Sequence, residues 1–91
     1  MLVVLYLTCS YFGIMKRNSK ELHLLQLKLG KRVQDIRKRK NLTQEGLAAI
    51  SGLDRVSIGY IEQGRRAPQL STLQILSKSL QVKLSDFFDG I

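Results

Sequence analysis

Residues 43–64 read TQEGLAAISGLDRVSIGYIEQG, two short amphipathic stretches on either side of a glycine. Thr43 suits an N-cap, and Glu45 lies in the first turn, where its charge favours the helix dipole. Leu47, Ala48 and Ile50 supply the buried side of a helix of about eight residues. Ser51-Gly52 breaks it, since Gly52 can take the positive φ that a sharp turn demands. Leu53 then points inward, and Asp54 caps a second helix from Arg55 to about Gln63, with Ile58 and Ile61 as its buried stripe. Gly64 stops that helix, and Pro68, the single proline, bars its immediate resumption.

The spacing is geometrical information. With Gln44 as the first position, Ala48 is the fifth, Gly52 the ninth and Ile58 the fifteenth. Two helices that cross steeply need a small residue at the contact, a glycine in the turn and a branched apolar residue locking the second helix. That is the helix-turn-helix arrangement, whose second helix enters a DNA major groove. An ordinary helical hairpin in a small core is the alternative.

Upstream, Leu22, Leu25, Leu29, Val33 and Ile36 recur at three or four residues and make one face of a long first helix. Lys28, Lys31, Arg32, Arg37, Lys38 and Arg39 occupy the other face, either as a solvated surface or as further DNA contacts. Gly30 weakens the middle by about 1 kcal/mol against alanine, so a start near Leu27 is expected. The helix ends near Lys40–Asn41, where cations suit its C-terminus and Asn tolerates a left-handed turn. Downstream, Leu70, Leu73, Ile75, Leu76 and Leu80 mark a fourth helix. Val82, Leu84, Phe87 and Phe88 mark a short fifth, capped by Ser85. No strand signal of any length occurs. The expected fold is all-α: a compact five-helix helix-turn-helix domain.

Composition agrees. Fifteen Lys and Arg against seven Asp and Glu leave a formal charge of +8 and a pI near 10.1 in a 91-residue chain. Such a surplus suits a polyanion, nucleic acid or an acidic membrane surface, although charge alone also fits a merely soluble basic protein. Ten of the fifteen cations lie between Lys16 and Lys40. The one Cys excludes an internal disulfide and no Cys/His cluster suggests zinc, which fits a reducing, cytoplasmic setting. With one His (His23), no glycine-rich phosphate loop after a strand and no paired acids at helical spacing, nothing points to an enzyme or to a cofactor.

The first fourteen residues, MLVVLYLTCSYFGI, hold eleven apolar residues and no charge. They are too few to span a bilayer, which needs about 20, and lack the basic start and small-residue end of a secretory signal. Residues 1–19 are therefore read as an apolar and basic extension, and residues 20–91 as the domain. The extension is either untranslated before Met15, or a disordered tail, or an anchor; no membrane partner is expected.

TQEGLA…SGL, IGYIEQGRRAP and STLQILSKSLQV together resemble the Xre family, the Cro/C1-type (lambda-repressor-like) helix-turn-helix regulators, over about Leu27 to Phe88. LDR at Leu53–Arg55 is similar to the controller proteins of restriction–modification systems. Gly46 and Gly59 depart from the family pattern, and two glycines in short helices cost about 1–2 kcal/mol together.

The resemblance implies a sequence-specific transcriptional regulator of double-stranded DNA, and it assigns roles. Thr43 and Gln44 hold a phosphate at the start of the first motif helix, where the amides and dipole suit an anion. Arg55, Val56, Gly59 and Tyr60 take the exposed face of the recognition helix. Arg55 is the main base reader, its fork matching guanine O6 and N7, or else it is solvent-exposed or binds phosphate. Val56 meets a thymine methyl or is a surface valine. Tyr60 works at the groove edge or packs against the first helix. Ser57 and Arg65 are assigned to phosphates and Arg66 to a base, while Glu62 is structural, pairing with a basic neighbour.

One unit reads half a site, so a homodimer spanning grooves about 34 Å apart is expected. Leu84, Phe87, Phe88 and Ile91 are its expected contact, or else the Phe side chains close the monomer core. The other function class is an interaction protein, such as an antitoxin whose DNA binding is autoregulatory. An activator would in addition touch RNA polymerase, through a surface that one sequence does not identify.

Overall fold

The computed structural model describes the backbone from residue 2 onward and the side chains of residues 20–91. The expectations for residues 1–19, the Met15 start included, lie outside those described side chains. Four α-helices follow in order, α1 (Leu2–Arg39), α2 (Gln44–Ser51), α3 (Arg55–Glu62) and α4 (Leu70–Leu80). A 3-10 turn, Leu84–Phe88, stands where a fifth α-helix was expected. No strand occurs among the described residues.

The core forms where the apolar stripes of all four helices converge. Leu29, Val33 and Ile36 of α1 meet Leu47 of α2, Ile58 of α3, Leu73, Leu76 and Leu80 of α4, and Phe87 of the turn. Leu42, Ala48, Leu53, Val82 and Leu84 pack around them, partly buried. Each helix contributes one face, as the 3.6-residue period requires.

Three helices end in the same way. Asn41 (φ 58°), Gly64 (φ 74°) and Gln81 (φ 58°) are left-handed. The next amide reaches back to the last turn each time: Leu42 to the Arg37 carbonyl, Arg65 to Tyr60, Val82 to Ser77, at 3.2, 2.9 and 3.0 Å. These bonds satisfy carbonyls that the helix end leaves open.

Several expectations are corrected. Helix α1 runs unbroken through Gly30, because a residue without a side chain is needed there. A Cβ at that position would strike the Ile61 carbonyl oxygen and lie 2.7 Å from that of Glu62. Ile50, in the last turn of α2, is 57% exposed. Leu22, Leu25, Leu70 and Ile75 are also exposed; the buried face of α4 is Leu73, Leu76, Ser77 and Leu80. Asp54 makes no side-chain cap to α3. Ser85 does not cap the last turn either. There the Asp86 carboxylate accepts from the Lys83 amide at 2.9 Å, and the Asp86 amide donates to the Lys83 carbonyl at 2.9 Å.

The chain end is held by α1. Arg32 Nε donates to the Asp86 carbonyl at 2.9 Å, and its Nη2 lies 3.5 Å from the Asp89 carboxylate. Among the described residues, no helix is long and apolar enough to cross a membrane.

Candidate nucleic-acid interface

The local sequence fixes how α2 and α3 stand to each other. Thr43 is extended, and its hydroxyl accepts from the Gly46 amide at 2.9 Å, the N-cap its identity suggests. At the other end Gly52 is left-handed (φ 75°), with its amide on the Ala48 carbonyl. The Ser51 hydroxyl accepts from the Leu53 amide at 3.2 Å. The turn is closed by its own backbone, and Leu47 and Ile58, both fully buried, lock the two helices from below.

A second lock is ionic. Arg37 of α1 reaches Glu62, the last residue of α3, with Nε 2.7 Å from Oε2 and Nη2 2.9 Å from Oε1. The third arm, Nη1, donates to the Leu42 carbonyl at 2.7 Å. One guanidinium thus ties α1, the loop before α2 and the end of α3. The bidentate geometry suits Arg where Lys would supply only a point charge. The expectation that Glu62 pairs with a basic neighbour is met by Arg37.

Gln44 extends the network outward. Its Nε2 donates to Glu62 Oε1 at 3.1 Å, and its Oε1 accepts from Arg55 Nη1 at 3.3 Å. The first residue of α2 and the first residue of α3 therefore meet on the surface. Gly59, expected to be exposed, is buried. The Gln44 side chain covers it, lying 3.7 Å from where a Cβ would stand. This link between Gln44, Glu62 and Arg55 is absent from the sequence reading, because residues 18 apart on two helices carry no local signal of contact.

The remaining candidates gather around α3. Arg55 and Val56 are exposed at its start, and Ser57 and Tyr60 are half-buried. Arg65 and Arg66 are exposed just past its end. The Arg66 guanidinium carbon sits 5.1 Å from the centre of the Tyr60 ring, a cation–π contact. Arg55, Arg65, Arg66 and the N-terminal turn of α2 thus flank the exposed face of α3, a positive surface that suits a polyanion.

The four expected dimer residues do not share one environment. Phe87 is fully buried (0% exposed) in the monomer core, so it offers no surface to a partner, and its assignment as a contact is corrected. Leu84 is partly buried against the same core. Phe88 and Ile91, each 43% exposed, remain at the surface. Among the described residues, no His, Cys, Asp and Glu side chains group as a metal site.

The family model for helix-turn-helix proteins matches residues 33–87. The HTH-type transcriptional regulator PuuR of Escherichia coli is 44% identical over 59 residues, which are 65% of this chain and 32% of PuuR. This chain thus spans about a third of PuuR. Control protein C.SmaI of Serratia marcescens is 46% identical over 56 residues, 62% of this chain and 67% of that protein. Among solved structures, the restriction–modification controller protein C.Esp1396I, a tetramer in complex with its natural operator, superposes with a TM-score of 0.66. The identity there is 37%, over 71% of this chain and 86% of that one. The shared span covers α2, the turn, α3 and α4 whole, the elements that build the interface, and the chain belongs to the helix-turn-helix family of the Xre, or Cro/C1, type.

Proposed function

We propose that this protein is a sequence-specific, double-stranded DNA-binding transcriptional regulator of the controller type, acting in the cytoplasm as a two-fold dimer. Residues 20–91 are the DNA-binding unit. Helix α3 lies in the major groove, with Arg55 and Val56 on base edges and Arg66 at the groove margin. Thr43, Gln44, Ser57 and Arg65 hold phosphates on either side. Phe88 and Ile91, with the edge of Leu84, carry the contact between copies.

The observation that carries this reading is the exposed start of α3. Arg55 and Val56 face solvent at the end of the helix that the N-terminus of α2 adjoins through Gln44. An exposed valine beside an arginine gains nothing for the monomer, but the pair suits a guanine and a neighbouring thymine methyl. The relatives support it: PuuR is a transcriptional regulator by name, and C.Esp1396I sits on a 35-base-pair operator as a tetramer.

The test is selection of binding sites from random duplex DNA at about 150 mM salt, near physiological ionic strength, with Arg55→Ala alongside. A two-fold-symmetric motif that loses one position in the variant is the expected result. Binding without any enriched motif, fading as salt rises, would mean that the +8 charge acts unspecifically.

A further inference from the structure

We propose that α1 pairs antiparallel with α1 of a second copy across residues 21–28, Glu21 of each copy facing the partner's Lys28. This surface adds to the contact at Phe88 and Ile91, and it serves self-association whether or not DNA is bound.

The domain leaves this part of α1 bare. Of residues 20–28 only Gln26 is half-buried, and Leu22, Leu24, Leu25 and Leu27 are 40–56% exposed. A helix without tertiary support is marginal in water, and clustered apolar side chains on a surface mark an interaction site. The cluster is continuous with the chain end, since Leu27, Lys28 and Ile91 line one groove along α1. Each partner of a stable interface buries about 800 Å². Phe88 and Ile91, at 43% exposure, supply only a small part of that area, and the adjoining leucines supply more.

Charge decides the partner and the direction. Glu21 and Lys28 stand seven residues apart, on one stripe of the helix that drifts only about 20° over that length. Leu24 and Leu25 lie between them. Both charges are exposed, and neither forms an ion pair among the described residues. The neighbouring cations are engaged within the chain, Lys31 with Asp35 at 3.1 Å and Arg32 with the Asp86 carbonyl at 2.9 Å. A stripe of acid, leucine, leucine and base is its own complement when reversed. A two-fold axis between Leu24 and Leu25 sets Leu24 against the partner's Leu25, and Glu21 against the partner's Lys28. Symmetry makes each of these contacts twice. A parallel pair in register would instead set acid on acid and base on base.

The experiment is sedimentation equilibrium of the full chain without DNA, at about 150 mM salt, with thermal unfolding of every variant alongside. Wild type is compared with Glu21→Lys, Lys28→Glu, the double variant, a 1:1 mixture of the two single variants, and Leu24→Gln. All three positions are exposed and outside the core, so unfolding is expected to change little.

Each single reversal turns two symmetry-related attractions into repulsions and is expected to weaken self-association by at least about fivefold. The double variant and the mixture restore opposite charges at every contact, and both are expected to return to within about twofold of wild type. Leu24→Gln is expected to weaken association without restoring partner. Single reversals that associate like wild type overturn the proposal, and so does a weakening that neither the double variant nor the mixture repairs. If general repulsion between chains of charge +8 governed association, Lys28→Glu would strengthen it, which also overturns the proposal. A chain that stays monomeric at every concentration does the same, and leaves the leucines to a partner of another kind. Phe88→Ala, measured in the same way, keeps the two contacts apart: a dimer lost there while the reversals are silent lies at the chain end alone.

Discussion

Arg37 and Glu62 form a two-pronged ion pair inside the protein, at 2.7 and 2.9 Å, with side chains only 8% and 1% exposed. The pair joins the first helix to the end of the recognition helix, beside the close approach of Gly30 to the Ile61 and Glu62 carbonyls. Removing one partner strands the other charge away from water, which typically costs about 3–5 kcal/mol. Glu62→Ala is therefore expected to lower the urea midpoint by that equivalent, a large share of the stability of a domain this small. Replacing both residues by apolar ones of similar volume, Arg37→Met with Glu62→Leu, should recover most of the loss. Raising the salt should change the wild-type midpoint little, since buried pairs are weakly screened. The exposed Lys31–Asp35 pair, at 3.1 Å, makes the contrast: Lys31→Ala is expected to be close to neutral.

Two glycines in helices should respond to alanine in opposite directions. At Gly30 the new methyl would collide with the Ile61 and Glu62 carbonyls, pushing α1 off the end of α3. Strain of this kind costs about 1–3 kcal/mol, more than the helix propensity gained. At Gly59 the nearest atom is Gln44 Oε1, 3.7 Å away, an ordinary contact distance. There the propensity term should win, and Gly59→Ala should stabilise by roughly 0.5–1 kcal/mol. Melting temperatures of the two variants decide the matter. If both are destabilised, the packing described at Gly59 is wrong.

The contrast also marks where sequence reading stops. Thr43, Gly52 and Gly64 announced the ends of α2 and α3 because a cap or a left-handed turn is set by a residue and its immediate neighbours. The structural role of Glu62 followed from the family resemblance, and the exposure of Arg55 and Val56 from position on the helix. Gly30 could not be understood that way. As a local matter it weakens a helix, and only the arrival of α3 against it shows why nothing larger fits. Ile50, Leu70 and Ile75 keep the period of a buried stripe yet lie exposed, because periodicity gives the direction of a face but not where its neighbour ends. Asp54 and Ser85 are good capping types that make no cap, the second displaced by Asp86. The Gln44 link to Glu62 and Arg55 depends on three segments meeting, and no spacing rule describes it.

Phe87 and Phe88 are adjacent in sequence and should behave as different kinds of residue. Phe87→Ala empties a fully buried site and is expected to destabilise the monomer by about 3–5 kcal/mol. Phe88→Ala removes an exposed ring and should leave the thermal unfolding of the monomer almost unchanged. Its effect is expected in sedimentation, where the dimer should dissociate at lower concentration, and in DNA binding, where cooperativity between half-sites should fall. An unchanged dimer would move the contact elsewhere, and the exposed leucines of α1 would be the next surface to test.

Arg65 and Arg66 are neighbours with separable tasks. Arg65 is exposed, and its backbone amide closes the end of α3 on the Tyr60 carbonyl; alanine keeps that bond and removes only the charge. Arg65→Ala should weaken binding to the selected site and to random DNA by the same factor, and lower the slope of log K against log salt by about one. Arg66 is held over the Tyr60 ring, so its charge reaches DNA along a direction that the ring sets. Tyr60→Leu and Arg66→Ala should therefore each cost affinity at the selected site, and their combination should cost less than the sum, because the second change removes a platform already without its occupant. Strict additivity in the measured binding free energies would mean that the two side chains act on DNA independently, and that the ring does not direct the arginine.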